Sequence, residues 1–205
     1  DAYGNTVTSF DASANNVTVS TTLTGTISGL SGTNKLTSAS DFVSGIANLT
    51  SLGLKYTGTV GTGTFTFTPQ TGTAATSGTV AISAGTATKL VVTGTGSETA
   101  GSAQTISITA KDAQGNTATA YIGSHTITFS GATSSINPVT APTIGGVELG
   151  TGTSLSFTNG VATASMILYK AEAVFIAATD GTISAAGADR LSVTVSESSF
   201  NKLVV

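Results

Sequence analysis

The stretch TISITAKDAQGNT, residues 105–117, carries the two signals from which the fold is read. Its first half alternates, with Ile106 and Ile108 on one side of an extended chain and Thr105, Ser107 and Thr109 on the other. Threonine and isoleucine are β-branched, which favours a strand over a helix. Its second half, Asp112 to Thr117, is turn chemistry: an Asp able to cap nearby amides, then Gly and Asn, which tolerate a positive φ. The same two signals recur outward in both directions. HTITFS (125–130) puts Ile127 and Phe129 on one face, and LSVTVS (191–196) does so with Leu191, Val193 and Val195. TVAIS (79–83) presents Val80 and Ile82, and TGTFTFT (62–68) presents Phe65 and Phe67. Short alternating runs broken by turn residues at a spacing of roughly 8–12 residues predict an antiparallel sandwich.

The chain repeats itself. DAYGNT at 1–6 matches DAQGNT at 112–117, an offset of 111. FVSGIA (42–47) matches FTNGVA (157–162) at an offset of 115, and Lys55 matches Lys170 at that same offset. KLVV (89–92) returns at 202–205, an offset of 113. Four matches in one order, drifting by a few residues, indicate a tandem duplication with changes in loop length. SASDFVSGIANL (38–49) has some helical spacing, at Phe42, Ile46 and Leu49. Its counterpart FTNGVATAS (157–165) has an Asn-Gly turn followed by alternation, so both are predicted as strands.

The fold expected is all-β: two tandem immunoglobulin-like antiparallel β-sandwiches, the first lacking its N-terminal strands. Residues 1–85 form the incomplete module and 86–198 the complete one, because KLVV precedes Asp112 in the second copy while the first begins at Asp1. Residues 199–205 are expected to be the first strand of a following module or a donor strand. On that reading Phe200, Lys202, Leu203, Val204 and Val205 mediate subunit or module interaction.

Composition narrows the function. Charged residues are only 8% of the chain, against roughly 25% in an average soluble protein. Hydroxyls cover the surface instead, from 41 Thr and 26 Ser. The net charge of −3 is scattered, with no basic patch to neutralise phosphates, which argues against nucleic acid. No apolar run approaches the length of a membrane span. There is no cysteine, so disulfides and thiolate chemistry are excluded.

AGSAQTISITAKDAQGNTATAY, HTITFSG, SFTNGVATASMILYKAEAVFIAATDGTISAA and LSVTVS together resemble one bacterial immunoglobulin-like repeat. Such repeats are strung along invasin- and intimin-type adhesins and other very long bacterial surface proteins. The resemblance spans 86–198 in full, and 1–85 as the same module with its beginning missing. It implies an extracellular, cell-surface, non-enzymatic structural repeat in a fibre, stalk or adhesin array, with further copies as partners. The alternative is an adhesive or carbohydrate-binding module. A pocket lined by exposed Tyr, especially around loop 131–154, would favour that alternative.

No residue cluster points to catalysis or to a cofactor. Asp112, Gly115 and Asn116, with Asp1, Gly4 and Asn5, offer one carboxylate per turn, where calcium takes six to eight oxygens. They are read as turns, and so is Thr-Asp-Gly at 179–181. His125 is the single histidine, with no nucleophile motif around it, and is read as a surface or strand-edge residue. Glycosidase chemistry needs paired carboxylates in a cleft, and ten acids are scattered here. With no Trp, sugar stacking would fall to Tyr3, Tyr56, Tyr121 and Tyr169. Lys89, Lys111, Lys170 and Lys202 sit where a Lys–Asn isopeptide bond is conceivable, and are read as solvated strand-end lysines. Asn16-Val-Thr and Asn48-Leu-Thr fit the glycosylation sequon, a pattern that arises by chance in a chain so rich in Thr.

Overall fold

Threonine-rich alternation becomes strand throughout the computed structural model, which describes residues 1–199. The protein is all-β, with two short 3-10 turns, Ala39–Asp41 and Gly187–Asp189, among the described residues. It divides into two compact units, Asp1–Ser83 and a second that begins at Ala84.

The first unit contains β1 (Val17–Thr21), β2 (Gly25–Ser28), β3 (Lys35–Leu36), β4 (Lys55–Gly58), β5 (Gly61–Gly63), β6 (Phe65–Pro69), β7 (Ala75–Thr76) and β8 (Val80–Ile82). One sheet runs β3-β1-β6-β7, while β2 with β4 and β5 with β8 form separate antiparallel pairs. Alternation in β1 buries Val17 and Val19, which join Ala12, Leu30, Leu36 and Phe65 in a small core. Buried Asp41 ties the chain together, accepting from Ser31 Oγ (2.6 Å), Thr37 N (2.8 Å) and Ser38 N (2.9 Å).

The second unit is a full sandwich of β9 (Lys89–Thr93), β10 (Ser97–Thr99), β11 (Ala103–Lys111), β12 (Gly123–Ser130), β13 (Thr143–Ile144), β14 (Val147–Glu148), β15 (Gly152–Phe157), β16 (Val161–Ile167), β17 (Ala173–Thr179) and β18 (Leu191–Ser196). Its sheets run β14-β13-β16-β11-β9 and β10-β18-β17-β12-β15. The predicted faces are the buried ones. Ile106, Ile108, Ile127, Phe129, Leu191, Val193 and Val195 all enter the core. Among the described residues that core holds 21 buried hydrophobic side chains, against six in the first unit. Four of them, Leu90, Val92, Ile106 and Ile108, come from β9 and β11 and contribute about 1.5–3 kcal/mol each when fully buried. One pairing departs from the antiparallel pattern: β10 runs parallel to β18, Ser97 opposite Thr194 and Thr99 opposite Ser196. The chain leaves the β9 sheet through Gly94 and Gly96 and borders the opposite sheet before returning as β11.

The prediction of a strand through 38–49 is corrected. That stretch holds the 3-10 turn Ala39–Asp41 and an isolated bridge, Val43 to Ile46, and Asn48 to Gly53 form turns. Its counterpart is indeed strand, β15 and β16 around the Asn-Gly turn. The physical reason is pairing. Residues Ala103 to Thr109 of β11 pair with β16 along its whole length, and the first unit has no strand in that place among the described residues.

Candidate functional site

Four places bring polar or apolar groups together. The first is the repeated Asp turn. Asp112 Oδ1 accepts from Gln114 N (3.0 Å) and Asn116 N (2.8 Å); Oδ2 accepts from Asn116 Nδ2 (3.1 Å) and Gly85 N (3.0 Å). Asp1 repeats the arrangement: Oδ1 accepts from Tyr3 N and Asn5 N, both at 2.9 Å, and Oδ2 from Asn5 Nδ2 (3.0 Å). Gly115 and Gly4 hold φ values of 85° and 83°. Burial pushes the Asp112 carboxyl up, but the donors from Asn116, Gly85 and Gln114 outweigh it and hold the group below its usual range. The oxygens a cation would need are occupied by backbone and amide donors, so these residues act as turn caps.

The second place is a hollow of about 570 Å³ in the second unit, lined by Tyr121, His125, Asp180 and Ile183 among others. Tyr121 donates to Asp180 Oδ2 at 2.6 Å and stacks on His125, ring centroids 3.9 Å apart. Phe157 meets the Tyr121 ring edge-on at 4.8 Å. Burial, then the bond to Asp180 and its charge, push the Tyr121 phenol well up. Burial raises Asp180 as well, yet donors from Tyr121, Ile183 and Thr182 hold it below its usual range. Asp180 also closes its own Gly181 turn through Oδ1, 2.8 Å from both Thr182 N and Ile183 N. The Tyr121 hydroxyl and the Asp180 carboxylate are thus engaged with each other and with the backbone of the 180–183 turn.

The third is a cleft of about 320 Å³ lined by Gly101, Tyr169, Ser135, Asn137, Thr140 and Ser198 among others. Ile136 and Val139 stand 81% and 78% exposed on the same loop. Tyr3 and Tyr56 take no part in a shared site: Tyr3 is exposed, and the Tyr56 hydroxyl lies 3.0 Å from the Thr24 and Thr59 carbonyls.

The fourth is an apolar groove of about 350 Å³ in the first unit, lined by Val17, Leu36, Phe42, Ile46, Leu49 and Phe67 with small neighbours. The sequence reading did not single it out as a site.

The lysines take ordinary surface roles. Lys89 pairs with Asp189 (3.0 Å) and Lys170 with Glu172 (2.9 Å), contacts worth about 0–1 kcal/mol each. Lys111 Nζ donates to the Gly115 carbonyl at 3.0 Å. The residues expected to mediate module interaction, Phe200, Lys202, Leu203, Val204 and Val205, lie outside the described residues. Among the described residues no group of three His, Cys, Asp or Glu could hold a metal, and no helix is long and apolar enough to cross a membrane.

Comparison with known proteins gives structural likenesses only. No family model matches the chain. No curated protein matches it either. A glycosyl hydrolase family 2 member from Bacteroides cellulosilyticus is similar over 87% of this chain and 23% of its own, at 13% identity and a TM-score of 0.41. Domains 4 and 5 of the S-layer protein SbsC are similar over 95% of this chain and 77% of theirs, at 17% identity and a TM-score of 0.31. Domains 1–6 of SbsC give 16% identity and a TM-score of 0.33, this chain spanning 22% of that length.

Proposed function

We propose that the chain is a non-enzymatic structural segment of an extracellular fibre, stalk or adhesin array, in which immunoglobulin-like modules follow one another and the partners are further copies. The observation that carries this reading is the repeated turn. The same Asp cap, with the same glycine conformation, recurs at Asp1 and Asp112, and Asp41 and Asp180 likewise accept from backbone amides. Among the described residues no buried side-chain polar atom lacks a partner. A hydroxyl surface of low charge suits a spacer that must stay soluble without binding ions or nucleic acid. An antibody against residues 84–199 tests the reading on the source cells. Labelling of intact cells along extended surface structures is expected; labelling only after permeabilisation would overturn it.

A second reading has one observation behind it, the Tyr169 cleft beside loop 131–142, whose hydroxyl and amide groups and single aromatic suit a sugar. A glycan array probed with the chain and with Tyr169→Ala separates the two. Binding that the substitution abolishes would make this a carbohydrate-binding module.

A further inference from the structure

We propose that the apolar groove of the first unit is a strand-acceptor site, and that its occupant is the β9-to-β11 segment of the repeat itself, of which residues 86–111 are the copy present in this chain. The inference rests on the internal repeat alone and not on where the protein resides.

The two units can be aligned at two independent points. One is the Asp turn described above. The other is a pair of tight turns, Ser44-Gly45 (φ 50° and 76°) and Asn159-Gly160 (φ 49° and 82°), each closed by a bridge, Val43 to Ile46 and Thr158 to Val161. A Cβ on Gly45 would meet the Val7 carbonyl at 2.4 Å and the Thr6 methyl at 2.8 Å. On Gly160 it would meet the Ala118 carbonyl at 2.7 Å and the Thr117 methyl at 2.9 Å. Thr6 and Val7 are the repeat partners of Thr117 and Ala118, so the same backbone crossing is built twice.

Beyond that crossing the units part. In the second, Val161 to Ile167 are extended against β11, with Ile108 opposite Ala162 and Ile106 opposite Ala164. In the first, the partners of Ala162 and Ala164 are Ala47 and Leu49, and both line the open groove. Backbone groups that would face a neighbouring strand are turned on themselves: Leu52 N donates to Asn48 O (3.0 Å) and Leu54 N to Leu49 O (3.0 Å). Ile46, which lines the groove, remains 67% exposed, and Val43 across the same tight turn 73%. The groove is thus the place that Ile106 and Ile108 fill in the second unit, and the occupant it fits is an extended segment with β-branched apolar residues at every second position. A main-chain edge plus apolar pockets two residues apart is how strand addition achieves both affinity and register.

The test is to extend the full chain with a copy of residues 86–111 ahead of Asp1, so that the copied Lys runs into Asp1 as Lys111 runs into Asp112. Amide hydrogen exchange is read at Ile46 to Leu52, with the second unit as internal reference. Protection in this segment should rise by about 100-fold or more, as for residues drawn into a cooperative sheet, and a thermal transition of the first unit should move upward. A control extension carrying Asp at both copied isoleucine positions should do neither. Unchanged exchange at Ile46 to Leu52 with an intact second unit would overturn the proposal, and so would equal protection by the control.

Discussion

Asp1 and Asp112 perform one task in two surroundings. Asp112 is 2% exposed and receives a fourth donor, Gly85 N, whereas Asp1 is exposed and has no such donor among its bonds. Asp112→Ala should lower the melting temperature of the second unit by several degrees, because Gly85, Gln114 and Asn116 lose their acceptor together. Asp1→Ala should leave the melting profile nearly unchanged, and calorimetry on both variants decides. Acid sensitivity follows from the same carboxylates. Asp11, Asp41, Asp112, Glu172 and Asp180 are all held below their ordinary values in the folded chain. A depressed folded value adds stability that is complete above the unfolded carboxylate range and is lost as pH falls through the folded values. Glu98, pushed up by burial against its bonds from Gln104 and Leu168, has the opposite sign, its penalty easing on acidification. With five against one, melting temperature should fall steadily below about pH 4; a profile flat down to pH 2 would refute this. Tyr121→Phe removes the hydroxyl donor to Asp180, which should cost about 0.5–1.5 kcal/mol at neutral pH and weaken the acid dependence.

At the scale of elements, what separates the units is whether β16 or its counterpart has a neighbour. Ile108, fully buried in β11, and Ile46, largely exposed beside the groove, are the contrasting pair. Ile108→Ala should destabilise the second unit by about 2–5 kcal/mol, the usual cost of emptying a packed core position. Ile46→Ala should change the first unit by less than about 0.5 kcal/mol, as expected for a side chain that buries little. Urea denaturation of each variant, followed at Tyr56 for the first unit and Tyr121 for the second, measures both. A large loss for Ile46→Ala would mean that the groove is already closed in solution.

The molecule as a whole should melt in two steps, because its two units bury such unequal cores. Residues 84–199 alone should show a cooperative transition near that of the intact chain. Residues 1–83 alone should melt broadly or not at all, since six buried hydrophobic residues do little against the conformational entropy of a chain that long. Differential scanning calorimetry of the three species checks this, and a sharp independent transition for 1–83 would refute it.

Much of this protein could be read from its residues because the controlling interactions are local. Alternation in TISIT, HTITFS and LSVTVS determined which side chains are buried, since successive residues of a strand must face opposite ways. Asp-x-x-Gly-Asn determined both Asp turns, since the cap and the positive φ lie within six residues. The failure came at 38–49, where the residues match a true strand and the chain still turns. Whether such a segment is extended depends on a partner distant in sequence, and periodicity carries no record of that partner. The Tyr121–Asp180 bond, the Glu98 bridge to Leu168 and the parallel β10–β18 pair were illegible for the same reason, joining residues 59, 70 and about 100 positions apart. Residue type settled the conformation each segment prefers, and tertiary structure decided which preferences were met, because a strand's backbone hydrogen bonds are made by another strand.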